Sequence, residues 1–521
     1  MKNSKIVALV ATAALLVLGA AFTSMAASYN WYQQDGEWRC KNAAGDDYYS
    51  EWAKSGADWY WLDDDGWMAR EALVDDDTKY VDADGKMVKN QWVKLADDEG
   101  NEYWNYFQAG GKKMVGKDDV KPVTVNGKKY IFNQDGKMLS GWVLAGYADA
   151  SDDDYAWKDG IYYCGDEDDG AVTLGWRQIE CYNEDEDFVD NNYWFWFGTN
   201  GIKFAATNGA TLKEKTINGK GYAFNEYGVM KAEWEAVRAT AATATNATVS
   251  NYSWFHTVED GSKLANGWFR VVPTDNLDPD NNEDDTAKWF YAKSGKLACN
   301  EIKSINGKKY GFNTKGEMVV GLCAVDRGRA ADDAFFAKEN IDDAAVLTDV
   351  CDGNLAYDIY FFSADEDNDG AMKTGAQTIN VDGDDYNFYF STKAGSKGIG
   401  WTGKQGNKYY FNGKKVAADD AIADYLFYVK EDTAVVKDGV VWPGSYRETG
   451  HGYFTFADAY AYADDHETYN GESYAVIEAD RVAVISKSGS IATSGTKKDG
   501  NGYKAVSKKS NGKTYWVIYP E

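Results

Sequence analysis

The side chains in this chain that could do chemistry are carboxylates and aromatic rings. Asp and Glu number 83 against 55 Lys and Arg, and there are three histidines, His256, His451 and His466. None of the three sits in a metal-binding motif, and no Gly-x-Ser-x-Gly elbow with an ordered triad is present. Glycoside hydrolysis needs only two acids at a set separation, so 83 acids offer many pairs and single out none. Asp365-Glu366-Asp367-Asn368-Asp369-Gly370 has the opening spacing of an EF-hand calcium loop, with looser echoes at Asp63-Asp64-Asp65-Gly66 and from Asp166 to Gly170. Position twelve of the first is Ala376, so the bidentate Glu is missing, and the Asp-Gly pairs read instead as hairpin turns. We assign no catalytic residue, metal or cofactor from the sequence. A net charge of -28 argues against nucleic acid as a partner, since a phosphate backbone is bound through clustered positive charge.

The rings are the other resource, with 20 Trp, 37 Tyr, 52 Gly and only 5 Pro. That composition suits short strands joined by glycine turns, with rings filling the narrow space between them. The stretch Asn126 to Trp142, NGKKYIFNQDGKMLSGW, returns as NGKGYAFNEYGVMKAEW at Asn218 to Trp234 and as NGKKYGFNTKGEMVVGL at Asn306 to Leu322. A shortened GNKYYFNGKK starts at Gly406. Tyr130, Tyr222, Tyr310 and Tyr409 thus recur at roughly ninety residues, a period much longer than the motif.

Asn126-Gly127 predicts a type I′ turn, because both central positions need positive φ. It places Val123 opposite Tyr130, with Tyr130 and Phe132 on one face and Lys129 and Ile131 on the other. Asp135-Gly136 supplies the next turn. A two-stranded hairpin is marginal alone, so the neighbouring copy must cover its aromatic face. Weaker hairpins lie between the main copies, at Ile161 to Trp176 and Tyr252 to Trp268, and then at Tyr193 to Phe204, Lys288 to Leu297 and Tyr386 to Gly398. Trp142 and Trp176 are separated as Trp234 and Trp268 are, so each period holds three hairpins. The first period is truncated, passing from Thr78 to Trp92 directly to Tyr103 to Met114. Stacked hairpins in a solenoid are the economical architecture. The segments Tyr147 to Asp154, Tyr182 to Asn192, Ala236 to Ser250, Pro273 to Asp285 and Ala324 to Asp349 read as solvated loops, with a short helix within Ala330 to Lys338.

At the start, Lys2 and Lys5 precede an apolar run from Ile6 to Phe22, and Ser24 and Ala26 fit a cleavage site, so residues 1–26 read as a signal peptide. The mature protein is expected outside the membrane. Six cysteines match no zinc spacing and leave two readings, disulfides such as Cys164 with Cys181 or Cys299 with Cys323, or isolated buried thiols. From about Val416 the repeat ends. Asp424 to Val429, Glu472 to Ala479 and Arg481 to Ser486 read as strands and Ala457 to His466 as a short helix, which predicts a small β-rich capping domain over 416–521. Lys and Arg outnumber acids from Arg481 onward, and we read them as solvated lysines rather than a contact to an anionic polymer. The last residues carry no wall-sorting motif, so noncovalent attachment is expected.

Aromatic-glycine repeats of about twenty residues ending in Gly-Trp resemble the cell-wall-binding, choline-binding type repeats of Gram-positive surface proteins. They are also similar to glucan-binding repeats of glucosyltransferases and receptor-binding repeats of clostridial toxins. The resemblance covers Trp31 to about Lys415 and implies an all-β fold, a β-hairpin solenoid over 27–415 with the small β-rich C-terminal domain. It also implies ligand seats between consecutive hairpins, where rings hold a quaternary ammonium by cation–π attraction or stack on a sugar. Carried onto this chain, the seats are Trp142 with Tyr162, Trp176 with Trp194 or Trp196, Trp234 with Trp254, Trp268 with Trp289, and Trp401 with Tyr409. Lys129-Tyr130-Ile131 departs from the Trp-Tyr-Tyr of the choline type, and Leu322 and Ala376 stand where Trp is expected, so fewer seats than hairpins are competent. The implied function is a secreted, non-catalytic cell-surface protein that binds wall polymer, a choline-bearing teichoic acid or a glycan. The rivals are an adhesin or toxin-like module for host or dietary carbohydrate, and a wall hydrolase.

Overall fold

The computed structural model describes residues 29–117, 120–145, 154–182, 192–207, 212–237, 249–351, 356–363, 369–418, 423–429, 436–437, 440–441, 453–461, 467–469, 472–480 and 482–521. The signal-peptide stretch and Asp365 to Asn368 lie outside them. The chain forms two compact units, Met1–Asn208 with Phe224–Met230, and Gly209–Ala223 with Lys231–Glu521. Both are built mainly from antiparallel hairpins.

The repeat motif folds as its turns dictate. Val123–Val125 pairs with Lys128–Tyr130 and sets Tyr130 opposite Val123. Asn126 and Gly127 both have positive φ, +50° and +84°, and the same pair recurs at Asn218-Gly219 and Asn306-Gly307. Alternation then divides the hairpin between two cores. Tyr130 and Phe132 join Tyr106, Val125 and Met138, while Ile131 joins Leu139, Val143, Tyr162, Cys164 and Val172. This hairpin therefore packs one face on the rings before it and the other on the hairpin that follows.

A second turn closes each unit, and its organiser is the residue three positions before the glycine. The Asp63 side chain accepts from the amides of Asp65 and Trp67, Asp82 from Asp84 and Lys86, and Asn225 from Tyr227 and Val229. Gly66, Gly85 and Gly228 supply the positive φ that comes next. The acidic run at Asp63 to Gly66 is thus a turn, as is Asp166 to Gly170, where Asp166 accepts from the amides of Asp168 and Asp169. Beyond the turn, a methionine amide reaches back to the preceding hairpin. Met68, Met87, Met138 and Met230 donate to the carbonyls of Trp38, Trp59, Trp104 and Trp194 at 2.8 to 2.9 Å.

Fully buried phenylalanines pin these joints. Phe107, Phe197, Phe224, Phe255, Phe312 and Phe390 are sealed from solvent, each worth on the order of 1.5–3 kcal/mol of burial. The lysine that opens the motif ties forward to the Asp before a later glycine. Lys128 pairs with Asp169 at 3.0 Å, Lys220 with Asp260 at 3.1 Å and Lys308 with Asp369 at 2.7 Å. These exposed pairs fix geometry more than they stabilise.

Two loop expectations are corrected. Ala330 to Lys338 is not helical; the helix is Ala344–Cys351, where the Asp343 side chain caps the Val346 amide and Leu347, Val350 and Cys351 are buried. Ala324 to Asp349 is not a purely solvated loop either, because Ala324, Phe336, Ile341 and Leu347 are core residues. Pro273 to Asp285 likewise buries Leu277 and Asp278 and holds the helix Pro279–Glu283.

The C-terminal residues form a four-stranded sheet containing Tyr425–Val429 and Val482–Ser486, and a five-stranded sheet containing Glu472–Glu478, Tyr503–Ser510 and Lys513–Pro520. The helix Phe456–Ala461 packs Phe456 and Ala459 among Phe427, Ile477, Val484, Trp516 and Ile518. None of the six cysteines forms a disulfide. Burial pushes the thiols of Cys40, Cys164, Cys181 and Cys323 up to about 12. No helix among the described residues is long and apolar enough to cross a membrane.

Candidate functional site

The recurrent feature is a tryptophan on the first strand of a hairpin, faced by rings two apart on the second strand and closed by rings of the next hairpin. Trp176 pairs directly with Trp196 in the ladder, and Trp194 lies on the same face. The Trp176 ring is 5.3 Å from Trp196 and 6.3 Å from Trp194, both edge-on, and stacks on Phe224 at 5.7 Å. All three indoles are half-buried, leaving ring surface open to solvent.

The same geometry stands elsewhere. Trp268 faces Tyr291 at 5.1 Å and Trp289 at 6.4 Å, then meets Tyr310 at 4.8 Å and stacks on Phe312 at 5.7 Å. Trp92 faces Tyr106 at 5.2 Å, meets Tyr130 at 4.9 Å and stacks on Phe132 at 5.6 Å, with Trp104 packed against the same cluster. The rims are polar. Trp104 Nε1 donates to Asp168 at 3.3 Å, Lys94 lies 3.6 Å from that carboxylate, and Tyr310 donates its hydroxyl to Asp369 at 3.2 Å. Burial pushes the Tyr310 phenol up, with the Asp369 charge adding to it, so it remains a donor. Trp52 with Trp61 at 5.3 Å begins a similar arrangement, with Lys79 Nζ over the Trp52 ring at 5.0 Å.

Trp142 and Trp234 occupy the hairpins immediately before those of Trp176 and Trp268, and there the space is filled. Trp142 is only 9% exposed and packs on Phe195 at 5.2 Å and Phe197 at 6.0 Å. Its cross-strand partner is Tyr163, at 5.0 Å, and not Tyr162, which pairs with Val143 and points into the opposite core at 5% exposure. Trp234 meets Trp254 at 5.4 Å as expected, but Phe290 at 5.0 Å and Phe269 at 6.0 Å close the space, and its Nε1 is used by the Val272 carbonyl at 2.8 Å. Trp254 stacks on Phe269. Trp401 lies under Lys393, whose Nζ is 4.4 Å from the ring centroid. Tyr409 is 3% exposed and packs with Phe411, Leu426, Ala483 and Ile485, forming one wall of a cleft of about 680 Å3 that Lys404, Asp480, Thr493 and Lys513 also line.

Of the residues expected in seats, the structure brings Trp176, Trp194 and Trp196 together, Trp268 with Trp289, and Trp234 with Trp254, the last with its space closed by Phe269 and Phe290. Trp92, Trp104, Tyr106, Tyr130, Tyr291 and Tyr310 are not among the residues expected in seats. The signal for the first three is positional, since WVKLADDEGNEYWNYF from Trp92 has the tryptophan, the ring pair two apart and the closing phenylalanine of the Trp176 copy.

Asp278, Glu317 and Glu339 form the described carboxylate cluster with the most shifted acidities. Lys315 Nζ lies 2.8 Å from Asp278, and Asn313 Nδ2 donates to Glu317 at 3.0 Å and Glu339 at 3.2 Å. Burial raises the Glu317 carboxyl to about 7, opposed by the Asn313 hydrogen bond and reinforced by Asp278. At Asp278 burial also acts upward, but hydrogen bonds from Lys315, Asn281 and Glu317 outweigh it and hold the group at about 2. Such a split can mark an acid and base pair. Here Asp278 is 1% and Glu317 6% exposed, so substrate has no access and the cluster is a joint between loop and hairpin. Among the described residues no group of acids, cysteines and histidines is arranged to hold a metal ion.

No protein-family model matches the chain. Glucosyltransferase-S from Streptococcus mutans is 25% identical over 288 residues, 51% of this chain and 16% of the glucosyltransferase, so the chain spans a small part of that relative's length. The modular autolysin LytC from Streptococcus pneumoniae, solved with a synthetic peptidoglycan ligand, is 17% identical with a TM-score of 0.32, covering 58% of this chain and 57% of that one. Choline binding protein F from Streptococcus pneumoniae is 18% identical with a TM-score of 0.23, covering 75% and 100%. The chain is similar to choline-binding repeat proteins and, over part of its length, to a glucosyltransferase.

Proposed function

We propose that the protein is a secreted, non-catalytic cell-surface protein whose hairpins stack as a solenoid over 27–415, capped by 416–521, and which binds wall polymer or another glycan through weak aromatic seats. The observation that carries this reading is the recurrence of one half-buried constellation at Trp92, Trp176 and Trp268, each with a following ring stacked behind it. A core that needed only filling would not have to leave indole surface open at corresponding places. A ring seat holds a quaternary ammonium with about 0.5–2 kcal/mol. Linked weak seats can raise overall affinity by ~10²-fold or more over a single one. Trp142, Tyr162, Trp234, Trp254, Trp401 and Tyr409 then serve the fold.

The test is retention of the mature protein on purified cell walls, with free choline and soluble glucans as competitors. Release by choline supports an ammonium-bearing polymer, and release by glucan supports a carbohydrate. Trp176→Ala combined with Trp268→Ala should cut retention at least tenfold while the chain stays folded. Unchanged retention in that double variant would remove the seats from the account, and clearing of the wall suspension would make the protein a hydrolase.

A further inference from the structure

Lys203 is a basic side chain placed where a ligand would be. It is 9% exposed, and its Nζ lies 5.1 Å from the Trp142 ring centroid and 5.8 Å from that of Phe195. The ammonium donates to the carbonyl of Trp157 at 2.6 Å and to that of Lys158 at 3.2 Å. Both carbonyls belong to the short helix Ala156–Asp159, whose Trp157 is buried beside the same core. Two aromatic rings and two carbonyl oxygens are therefore turned on one cation.

The stem is accommodated as well as the head. A Cβ at Gly228 would come within 2.9 Å of both Lys203 Cγ and Cδ. The arrangement is costly, since burial lowers the amine to about 8 against a smaller opposing pull from the Asp159 carboxylate. An apolar residue would avoid that cost but take the lysine donor away from one buried and one half-buried carbonyl. The place calls for a cation.

We infer that the seat at Trp142 is a cation site occupied by the chain's own Lys203, and that shortening this side chain opens it to an alkylammonium ion. This rests on the reading of the Gly-Trp positions as seats. It adds that the Trp142 seat is closed to outside ligands in the native protein, and that a lysine, rather than loss of its rings, closes it.

The experiment uses the mature full-length chain and Lys203→Ala, which lacks the atoms that n-propylammonium would replace. Equilibrium dialysis at neutral pH should find one more bound n-propylammonium per chain in Lys203→Ala than in the native protein. Millimolar n-propylammonium should raise the melting temperature of the variant, and 1-propanol should not. Lys203→Met keeps the seat filled without charge and should bind no extra equivalent. If Lys203→Ala folds poorly alone, refolding with n-propylammonium but not 1-propanol should recover it. No extra equivalent in folded Lys203→Ala, or equal rescue by the alcohol, overturns the inference. Wall retention reports the open seats and dialysis of the variant reports this one, so either reading can fail while the other stands.

Discussion

Replacing Glu317 by Gln should stabilise the protein progressively as pH rises from about 4.5 to about 7, and by a constant amount above that. The native carboxyl has one oxygen accepting from Asn313 and a second, Oε1, buried with no partner, beside the Asp278 carboxylate that a proton on Glu317 would bridge. Its acidity is raised from 4.5 to about 7. Between those values the folded chain holds a proton that the unfolded chain has lost. The contribution of Glu317 is therefore complete below about 4.5 and is lost as pH rises through about 7. A shift of this size corresponds to about 3 kcal/mol, to order of magnitude. Gln keeps the shape, accepts from Asn313 and donates to Asp278 at every pH. Asp278 titrates near 2, outside the window, and Glu339, raised by burial in the same sense, is unchanged between the two proteins. Hydrogen exchange of the strands Glu301–Ile305 and Lys308–Phe312, read at matched pH, isolates the local joint. At pH 8 exchange in Glu317→Gln should be roughly a hundredfold slower than in the native protein, and at pH 4 the two should coincide. A constant ratio across that range would show that the buried group does not hold its proton, and the account of the joint would fall.

Other outcomes are equally direct. Asn225→Ala removes the acceptor for the Tyr227 and Val229 amides and should cost about 1–2 kcal/mol in urea unfolding. Gly228→Ala should cost more, because it strains a φ of +82° and drives a methyl into the Lys203 stem. With a thiol reagent at pH 8, half-buried Cys299 should react first while Cys40, Cys164, Cys181 and Cys323 stay protected, and urea should release all six. Fewer than six in urea would mean that a disulfide forms.

What could be read in advance was whatever short-range geometry decides. Asn126-Gly127 fixed the register of Val123 with Tyr130, and alternation fixed which core each ring enters. The C-terminal strands fell where β-branched and aromatic runs lay. Errors arose where a choice depended on a distant partner. Tyr162 and Tyr163 are adjacent and chemically alike, and only alignment of Ile161 to Cys164 beneath Tyr252 to Phe255, which sets Tyr163 under Trp254, distinguishes them. The helix expected at Ala330 to Lys338 formed downstream because Asp343 caps it, while Phe336 is drawn into the core beside Val319 and Phe362. Whether a Gly-Trp position is open depends on Phe195, Lys203, Phe269 and Phe290, which reach it from later hairpins.

The ladders of the repeat region also bear on how the chain acquires its structure in time. From Asn30 to Lys415 the described sheets join segments that are close neighbours in sequence, whereas Tyr425–Val429 must wait for Val482–Ser486. Local closure costs little loop entropy and is fast. A chain emerging N-terminus first can thus complete hairpin after hairpin before its later residues have been made, with the C-terminal sheets as the slow step. A lesion in one hairpin should then stall its immediate neighbours rather than the whole molecule, and a hairpin gained or lost in descent would leave the folding of the others intact.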